Sequence, residues 1–264
     1  MNMFPEERKQ KICDLVNERH SIKVTELSQL MGISEVTIRR DLEELSQQKR
    51  LLRTHGGAMA MYSVGSEISA EELIRSNKNI EEKRAIASLA YTMLNDKDTI
   101  FADGSSTVHE LIKLVATGSK KQISVVTTSL TTVNALSESS NAKVIMVGGE
   151  VNYRHNHVEG YLTTAAISNL RADKCFIGIN GIDEAFGYST PRFPEAELKS
   201  EMVRSSIQSF ILADHTKFGN SYLARMSADC DYIITDARKQ GYDYDWLADR
   251  CTVLFASESQ KEGI

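Results

Sequence analysis

The sequence predicts a two-part chain: a small all-α, winged helix-turn-helix module, then an α/β domain built on a mainly parallel sheet. Three observations carry this. Residues 24–42 hold two short amphipathic segments joined by a glycine. From about residue 81, apolar runs of strand length alternate with helical stripes. The residues that follow those runs are glycines, small hydroxyls and a lysine. A length of 264 residues suits one small module and one domain of ordinary size.

In the first part, Leu27, Leu30 and Met31 lie three and four residues apart and predict one apolar helical face. Gly32 can take the left-handed conformation that ends the helix. Ser34 can cap the next helix by accepting from its free amides. There Ile38, Leu42 and Leu45 share the inward face, while Val36, Thr37 and Arg40 fall opposite and Arg39 lies on a flank. This is the pattern of a recognition helix for the DNA major groove. Glu43 and Glu44 lie outward one turn on, where phosphates would repel them, so the contact is expected from the first two turns. Leu51 to Thr54 reads as a short β-wing, flanked by Lys49, Arg50, Arg53 and His55. Cations there would meet phosphate and position the module without reading sequence. The candidate DNA-binding residues are thus Ser34, Val36, Thr37, Arg39, Arg40, Arg50, Arg53 and His55. The plain alternative is a three-helix bundle with a solvated charged face.

The chain carries a formal charge of −5, so its basic residues must cluster locally if they are to hold a nucleic acid. A hydrophobic content of 41% and charged content of 25% describe a globular protein of water rather than of lipid. No apolar stretch reaches membrane length, and an acidic segment follows Met1 where a signal peptide would be apolar. A cytoplasmic location and no membrane partner are expected. Cys13, Cys175, Cys230 and Cys251 form no Cys-x-x-Cys pair and read as reduced thiols. His155-Asn156-His157 has no carboxylate or thiol at ligand spacing beside it, and neither metal nor cofactor is expected. Residues 59–80 lack periodicity and read as a linker between domains at 1–58 and 81–264.

In the larger domain, Ile86, Leu89, Ala90 and Met93 give one helical stripe, and Val108, Leu111, Ile112 and Val115 another. Strands are expected at 99–102, 123–127, 143–147, 174–179, 210–213, 232–235 and 252–255. Nearly continuous apolar strands between helices imply a parallel sheet covered on both faces, though its strand order is not legible. Ligands of such sheets bind beyond the carboxyl ends of the strands. The loop Asp103-Gly104-Ser105-Ser106-Thr107 therefore reads as a phosphate cradle, with Ser129 and Lys217 as further candidates; simple helix capping is the alternative. Neither a G-x-x-x-x-G-K-[ST] nor a G-x-G-x-x-G sequence is present. Glu195 and Lys199 lie four apart on an expected helix, either as a surface ion pair or as groups over the ligand. Ser105, His109 and Asp103 resemble a hydrolase triad only in composition, because one turn offers no oxyanion hole. The segment from Asn152 to Glu159 is expected as a loop near the ligand mouth.

With these motifs assembled, the chain resembles the DeoR family of bacterial transcriptional regulators over nearly its whole length. Thr37-Ile38-Arg39-Arg40-Asp41-Leu42 and His55-Gly56-Gly57-Ala58 look like that family's N-terminal signature. The resemblance continues at Asp103 to Thr107, Thr128-Ser129, Gly148-Gly149, Gly178 to Asp183, Glu195, Lys199 and Asp214 to Phe218. It implies a phosphosugar-isomerase-like sensor domain, a phosphorylated sugar as effector, an operator in double-stranded DNA, and a dimer or tetramer. The effector-site residues it implies are Asp103, Gly104, Ser105, Ser106, Thr107, Thr128, Ser129, Gly148, Gly149, Asp183, Glu195, Lys199 and Lys217. Lys49 stands where the family commonly has glycine, and Thr128 where it usually has asparagine. An active phosphosugar isomerase with an appended DNA-binding head is the other reading.

Overall fold

The computed structural model describes residues 4–19, 21–48, 50–54, 56–60 and 75–259. The chain divides into two compact units, Met1–Ala70 and Glu71–Ile264.

The first unit runs α1 (Pro5–Arg19), β1 (Ser21–Lys23), α2 (Val24–Met31), α3 (Glu35–Gln47), β2 (Leu51–Arg53) and β3 (Gly57–Ala60). Ile12, Val16, Leu27, Ile38, Leu42 and Leu45 are fully buried and form its core. Gly32 ends α2 at φ +64°, a conformation that costs a side chain but not glycine. Ser34 caps α3, its Oγ accepting from Thr37 N at 3.4 Å. Leu30 departs from expectation, for half of it is exposed. Helix α2 opens at Val24, and its packed face passes through Val24, Leu27 and Met31, leaving Leu30 to one side. The wing has three antiparallel strands in the order β1-β3-β2, with β3 between the others and reaching Ala60. The three-residue β1 carries no alternation by which sequence could announce it.

The second unit introduces α4 (Ile80–Thr92), β4 (Thr99–Ala102), α5 (Ser106–Thr117), β5 (Ile123–Thr127), α6 (Leu130–Ala135) and β6 (Ala142–Met146). There follow β7 (Glu150–Asn152), β8 (His157–Glu159), α7 (Tyr161–Ser168), β9 (Ala172–Gly178), β10 (Gly181–Asp183) and β11 (Gly187–Thr190). Then come α8 (Phe193–Arg204), β12 (Ser206–Leu212), β13 (Ala224–Arg225), β14 (Tyr232–Thr235) and β15 (Thr252–Phe255). Seven strands make a wholly parallel sheet in the order β15-β14-β12-β9-β4-β5-β6. Both faces are covered. Ile100 and Ala102 of β4 pack with Ile86 of α4 and Leu111 of α5, while Phe101 packs with Ile167 of α7 and Met202 of α8. This alternation explains why β4 reads as an unbroken apolar run.

Two small additions were not expected. Residues 150–159 are an antiparallel hairpin, β7–β8, rather than a loop, with Val151 opposite Val158. Strands β10, β11 and β13 form a separate antiparallel sheet. The main sheet's order matters most. The chain leaves β4 for β5 and β6 on one side, then returns to β9 and grows outward through β12, β14 and β15. Winding reverses between β4 and β9, and their carboxyl ends flank the crevice where such folds bind ligands.

Candidate functional site

In the first unit, Val36, Arg39 and Arg40 are exposed on α3, and Thr37 is half-exposed beside the Ser34 cap. Arg39 reaches Glu35 at 3.1 Å and Arg40 reaches Glu44 at 3.3 Å, pairs that solvent keeps weak and that a phosphate can replace. Glu44 is also held by Lys9 at 2.7 Å, and Glu43 pairs with Arg53. The two carboxylates thus do not stand bare toward a phosphate backbone, as their sequence position suggested. The wing cations are engaged as well: Arg53 with Glu43, and Arg50 with Gln10 Oε1 at 2.5 Å. Asp41 of the signature is buried and receives Arg8 in a bidentate pair at 2.5 and 2.9 Å, which fastens α1 to α3. Lys49 and His55 lie outside the described residues.

In the second unit, four adjacent strands bring their following loops together. These are Thr128-Ser129 after β5, Asp103–Thr107 after β4, Gly178 closing β9, and Asp214–Lys217 after β12. At the centre Asp103 is buried, with Oδ1 accepting from Ser105 N at 2.9 Å and Oδ2 from Gly178 N at 3.0 Å. Lys199, reaching in from α8, also donates to Asp103 Oδ2, and to Gly178 O at 3.0 Å. Glu195, one turn back on α8, pairs with it at 3.2 Å. The Glu195–Lys199 spacing therefore serves a buried group, and the surface-pair alternative is overturned for Lys199. Burial would lower the Lys199 pKa, but Asp103 and Glu195 outweigh it and hold it above the ordinary value. Burial would raise Glu195, but Lys199, and after it Arg192, hold it below the ordinary carboxylate value.

Ser105 packs so closely on Gly178 that a Cβ there would come within 2.4 Å of its side chain. This is why β9 ends on glycine. Ser105 caps α5 through Val108 N at 3.3 Å, and Ser129 caps α6 through Thr132 N at 3.2 Å. The capping alternative is thus what these two hydroxyls show, and they fix the N-termini of α5 and α6 at the strand ends. A Cβ on Gly104 would lie 3.5 Å from the Ser129 Cβ and 4.0 Å from that of His157. Hairpin β7–β8 is thus laid against the loops, and Ser129 bridges His157 in antiparallel register. Ser106 is half-buried and Thr107 buried in the first turn of α5; Thr128 is buried, its carbonyl accepting from Val158 N at 2.8 Å.

The remaining candidates differ in their partners. Gly148 O accepts from Thr163 Oγ1 at 3.1 Å, and Gly149 starts the turn into β7. Asp183 Oδ1 accepts from Phe186 N at 2.8 Å and closes the β10–β11 turn, which spends it on local structure. Lys217 sits half-exposed on its short 3-10 turn, 3.8 Å from Asp214. Among the described residues no hydrolase triad forms: Asp103 is taken by Lys199, and the buried His109 Nδ1 meets no hydrogen-bond partner there.

Sequence reasoning missed one cluster altogether. Glu159 of β8 accepts from Arg192 at 3.0 and 2.6 Å, from Asn152 at 2.8 Å and from His157 at 2.8 Å. Burial would raise its pKa, but these donors bring it down to about 2. The pair spans 33 residues of sequence, and no local pattern signals it. Among the described residues no group of histidines, cysteines and carboxylates could hold a metal ion, and no helix is long and apolar enough to cross a membrane. Cys13, Cys175 and Cys230 are buried thiols; Cys251 is half-buried and accepts from Tyr188 OH at 3.6 Å.

With this geometry in place, likeness to known proteins is informative. Residues 8–64 match the family described as "DeoR-like helix-turn-helix domain", and residues 78–237 that described as "DeoR C terminal sensor domain". An uncharacterized HTH-type transcriptional regulator of Bacillus subtilis, YulB, is 33% identical over 99% of this chain and 100% of its own. The lactose phosphotransferase system repressor of Staphylococcus aureus is 31% identical over 82% of this chain and 85% of its own. Among solved structures, ribose 5 phosphate isomerase A from Neisseria gonorrhoeae overlaps 53% of this chain at 18% identity, with a TM-score of 0.38. The overlap spans about half of that isomerase, 54% of it.

Proposed function

We propose, from the premise that this chain belongs to the DeoR family of HTH-type transcriptional regulators, that it is a repressor whose hold on its operator is set by a phosphorylated sugar. Val36, Thr37, Arg39 and Arg40 enter the major groove, with Ser34 holding the helix's first turn and Arg50, Arg53 and His55 along the backbone. The effector lies across the carboxyl ends of β4, β5, β9 and β12. Its phosphate meets the amides and hydroxyls of Gly104 to Thr107 and Ser129, together with Lys217; its sugar faces the Asp103–Lys199–Glu195 cluster. Thr128, Gly148 and Gly149 shape the wall. Asp183 is left out, because its carboxylate is spent in a turn. The relative named as a lactose phosphotransferase system repressor supports the sense of regulation, and the match to a sensor domain supports control by an effector. A DNA half-site per module calls for a symmetric assembly of at least two chains.

The observation that carries the reading is the Asp103–Lys199–Glu195 cluster at the one place where the sheet's winding reverses. The same cluster argues against turnover. Lys199 is held protonated and Glu195 ionised, whereas a general acid or base works best with its pKa near the working pH. Release of product from candidate sugar phosphates at catalytic rates is the result that favours the isomerase. For the regulator, Arg39→Ala and Arg40→Ala are expected to weaken specific operator binding by about 1–3 kcal/mol per lost base contact. Retained operator affinity in the double variant would remove the DNA-reading assignment. Lys217→Ala is expected to leave operator binding intact and to blunt the effector's influence on it.

A further inference from the structure

Lys83 is a charged residue on an apolar stripe. It lies in the first turns of α4, on the face that carries Ile86, Ala87 and Ala90, and it is almost wholly buried. Its ammonium donates to the carbonyl of Arg75. The groups facing it are Asp214 on the loop after β12, Lys217 on the same loop, Glu110 of α5, and Arg75. Asn79, just before α4, adopts φ +55° and donates from Nδ2 to Asp214 Oδ1 at 3.2 Å. Asp214 also accepts from Thr216 N at 3.0 Å and lies 3.8 Å from Lys217. Asn79 therefore ties the segment before α4 to the loop that holds Lys217, while Lys83 ties Arg75 back to α4 with Asp214 facing it. Arg75 comes soon after the division between the two units at Ala70 and Glu71.

We propose that Lys83 and Asn79 form a latch that holds residues 75–79 to α4 and to the Asp214–Lys217 loop and tightens when the strand-end site is filled. This rests on reading that site as the effector site. The coupling is electrostatic. Burial lowers the Lys83 pKa to about 8, Asp214 and Glu110 oppose the fall, and Lys217 adds to it. An anion held by Lys217 offsets that lysine's charge and brings negative charge near Lys83. The Lys83 ammonium then keeps its proton more firmly, and its charge-assisted bond to the Arg75 carbonyl strengthens. Linkage makes the effect reciprocal, so a held segment also favours the bound anion. The chain that leads to the DNA-binding module is in this way a reporter of occupancy.

Amide hydrogen exchange in the full-length protein, with and without inorganic phosphate, tests the latch, with thermal unfolding of the same samples alongside. Phosphate is expected to raise the unfolding midpoint of the wild type and to slow exchange at residues 75–80 severalfold. Lys83→Met and Asn79→Gly are expected to keep the rise in midpoint and lose the slowing, while Lys83→Arg restores part of it. Asn79→Gly removes only the amide, since glycine accepts the positive φ, and it remains decisive if Lys83→Met fails to fold. Slowing that persists in Asn79→Gly and in any folded Lys83→Met overturns the latch. A wild-type midpoint that rises without any slowing at 75–80 also overturns it, yet leaves the anion site standing. A wild-type midpoint that does not respond to phosphate overturns the anion site, and the latch with it.

Discussion

A lysine buried beneath a sheet's strand ends is costly unless its charge is met, and Lys199 is met by Asp103, Glu195 and the Gly178 carbonyl. Removing one partner of such a group leaves the others uncompensated, so Lys199→Met is expected to cost about 3–5 kcal/mol, read by urea unfolding. A loss below about 1 kcal/mol would mean that the cluster is solvated in solution and is not a fixed floor of the crevice. Lys217 is a contrasting case. Half-exposed and 3.8 Å from Asp214, it is free to turn to a ligand, and Lys217→Ala is expected to change stability by no more than about 0.5 kcal/mol. In the proposed reading the two lysines divide the work: one builds the site and the other answers the ligand. Sequence separated them poorly. Lys199 had an ion-pair reading by spacing alone, and only its 5% exposure decides the matter.

At the scale of elements, legibility followed length and periodicity. Val108, Leu111, Ile112 and Val115 announce α5, and all four are fully buried. Strands of four or more apolar residues were equally plain. Strands β1, β7, β8 and β10 are too short for a period to show, and their pairing is decided by contacts distant in sequence. Lys83 was legible in principle, as a charge on the stripe of Ile86 and Ala90, whereas Arg192 met Glu159 through folding alone. Hairpin β7–β8 gains a pH dependence from that contact. Glu159 titrates near 2 against an ordinary 4.5, so its stabilising effect is complete above about pH 4.5 and is lost as pH falls toward 2. Proton-linked loss of hairpin protection over that window is expected in hydrogen exchange, and Glu159→Gln is expected to remove it. In the first unit, Ser34→Ala is expected to cost about 1 kcal/mol through the lost cap, with operator affinity falling as the first turn of α3 frays.

Over the whole molecule, a net charge of −5 requires DNA affinity to come from a few clustered cations, and raised salt is expected to weaken it steeply. Stability has its own signature on the alkaline side. Lys83 titrates near 8 when folded and near 10.5 otherwise, so the unfolded chain binds more protons between those values. Stability from this group therefore rises with pH across that window, and a thermal unfolding series on wild type and Lys83→Met would show it. The order of the seven strands, invisible in sequence, is what turns scattered loops into one crevice, because the reversal between β4 and β9 sets Asp103 beside Gly178. Central to the account is that this crevice takes a phosphorylated sugar. The most direct measurement is the unfolding midpoint of the full-length protein across a panel of sugar phosphates, with the corresponding free sugars as controls. A selective ligand at about a hundredfold excess over its Kd stabilises the folded state by about 2.7 kcal/mol. A phosphorylated sugar is expected to raise the midpoint where its free sugar does not, and Lys217→Ala is expected to diminish the rise. An equal response to the free sugar, or an undiminished response in Lys217→Ala, would contradict that reading of the crevice.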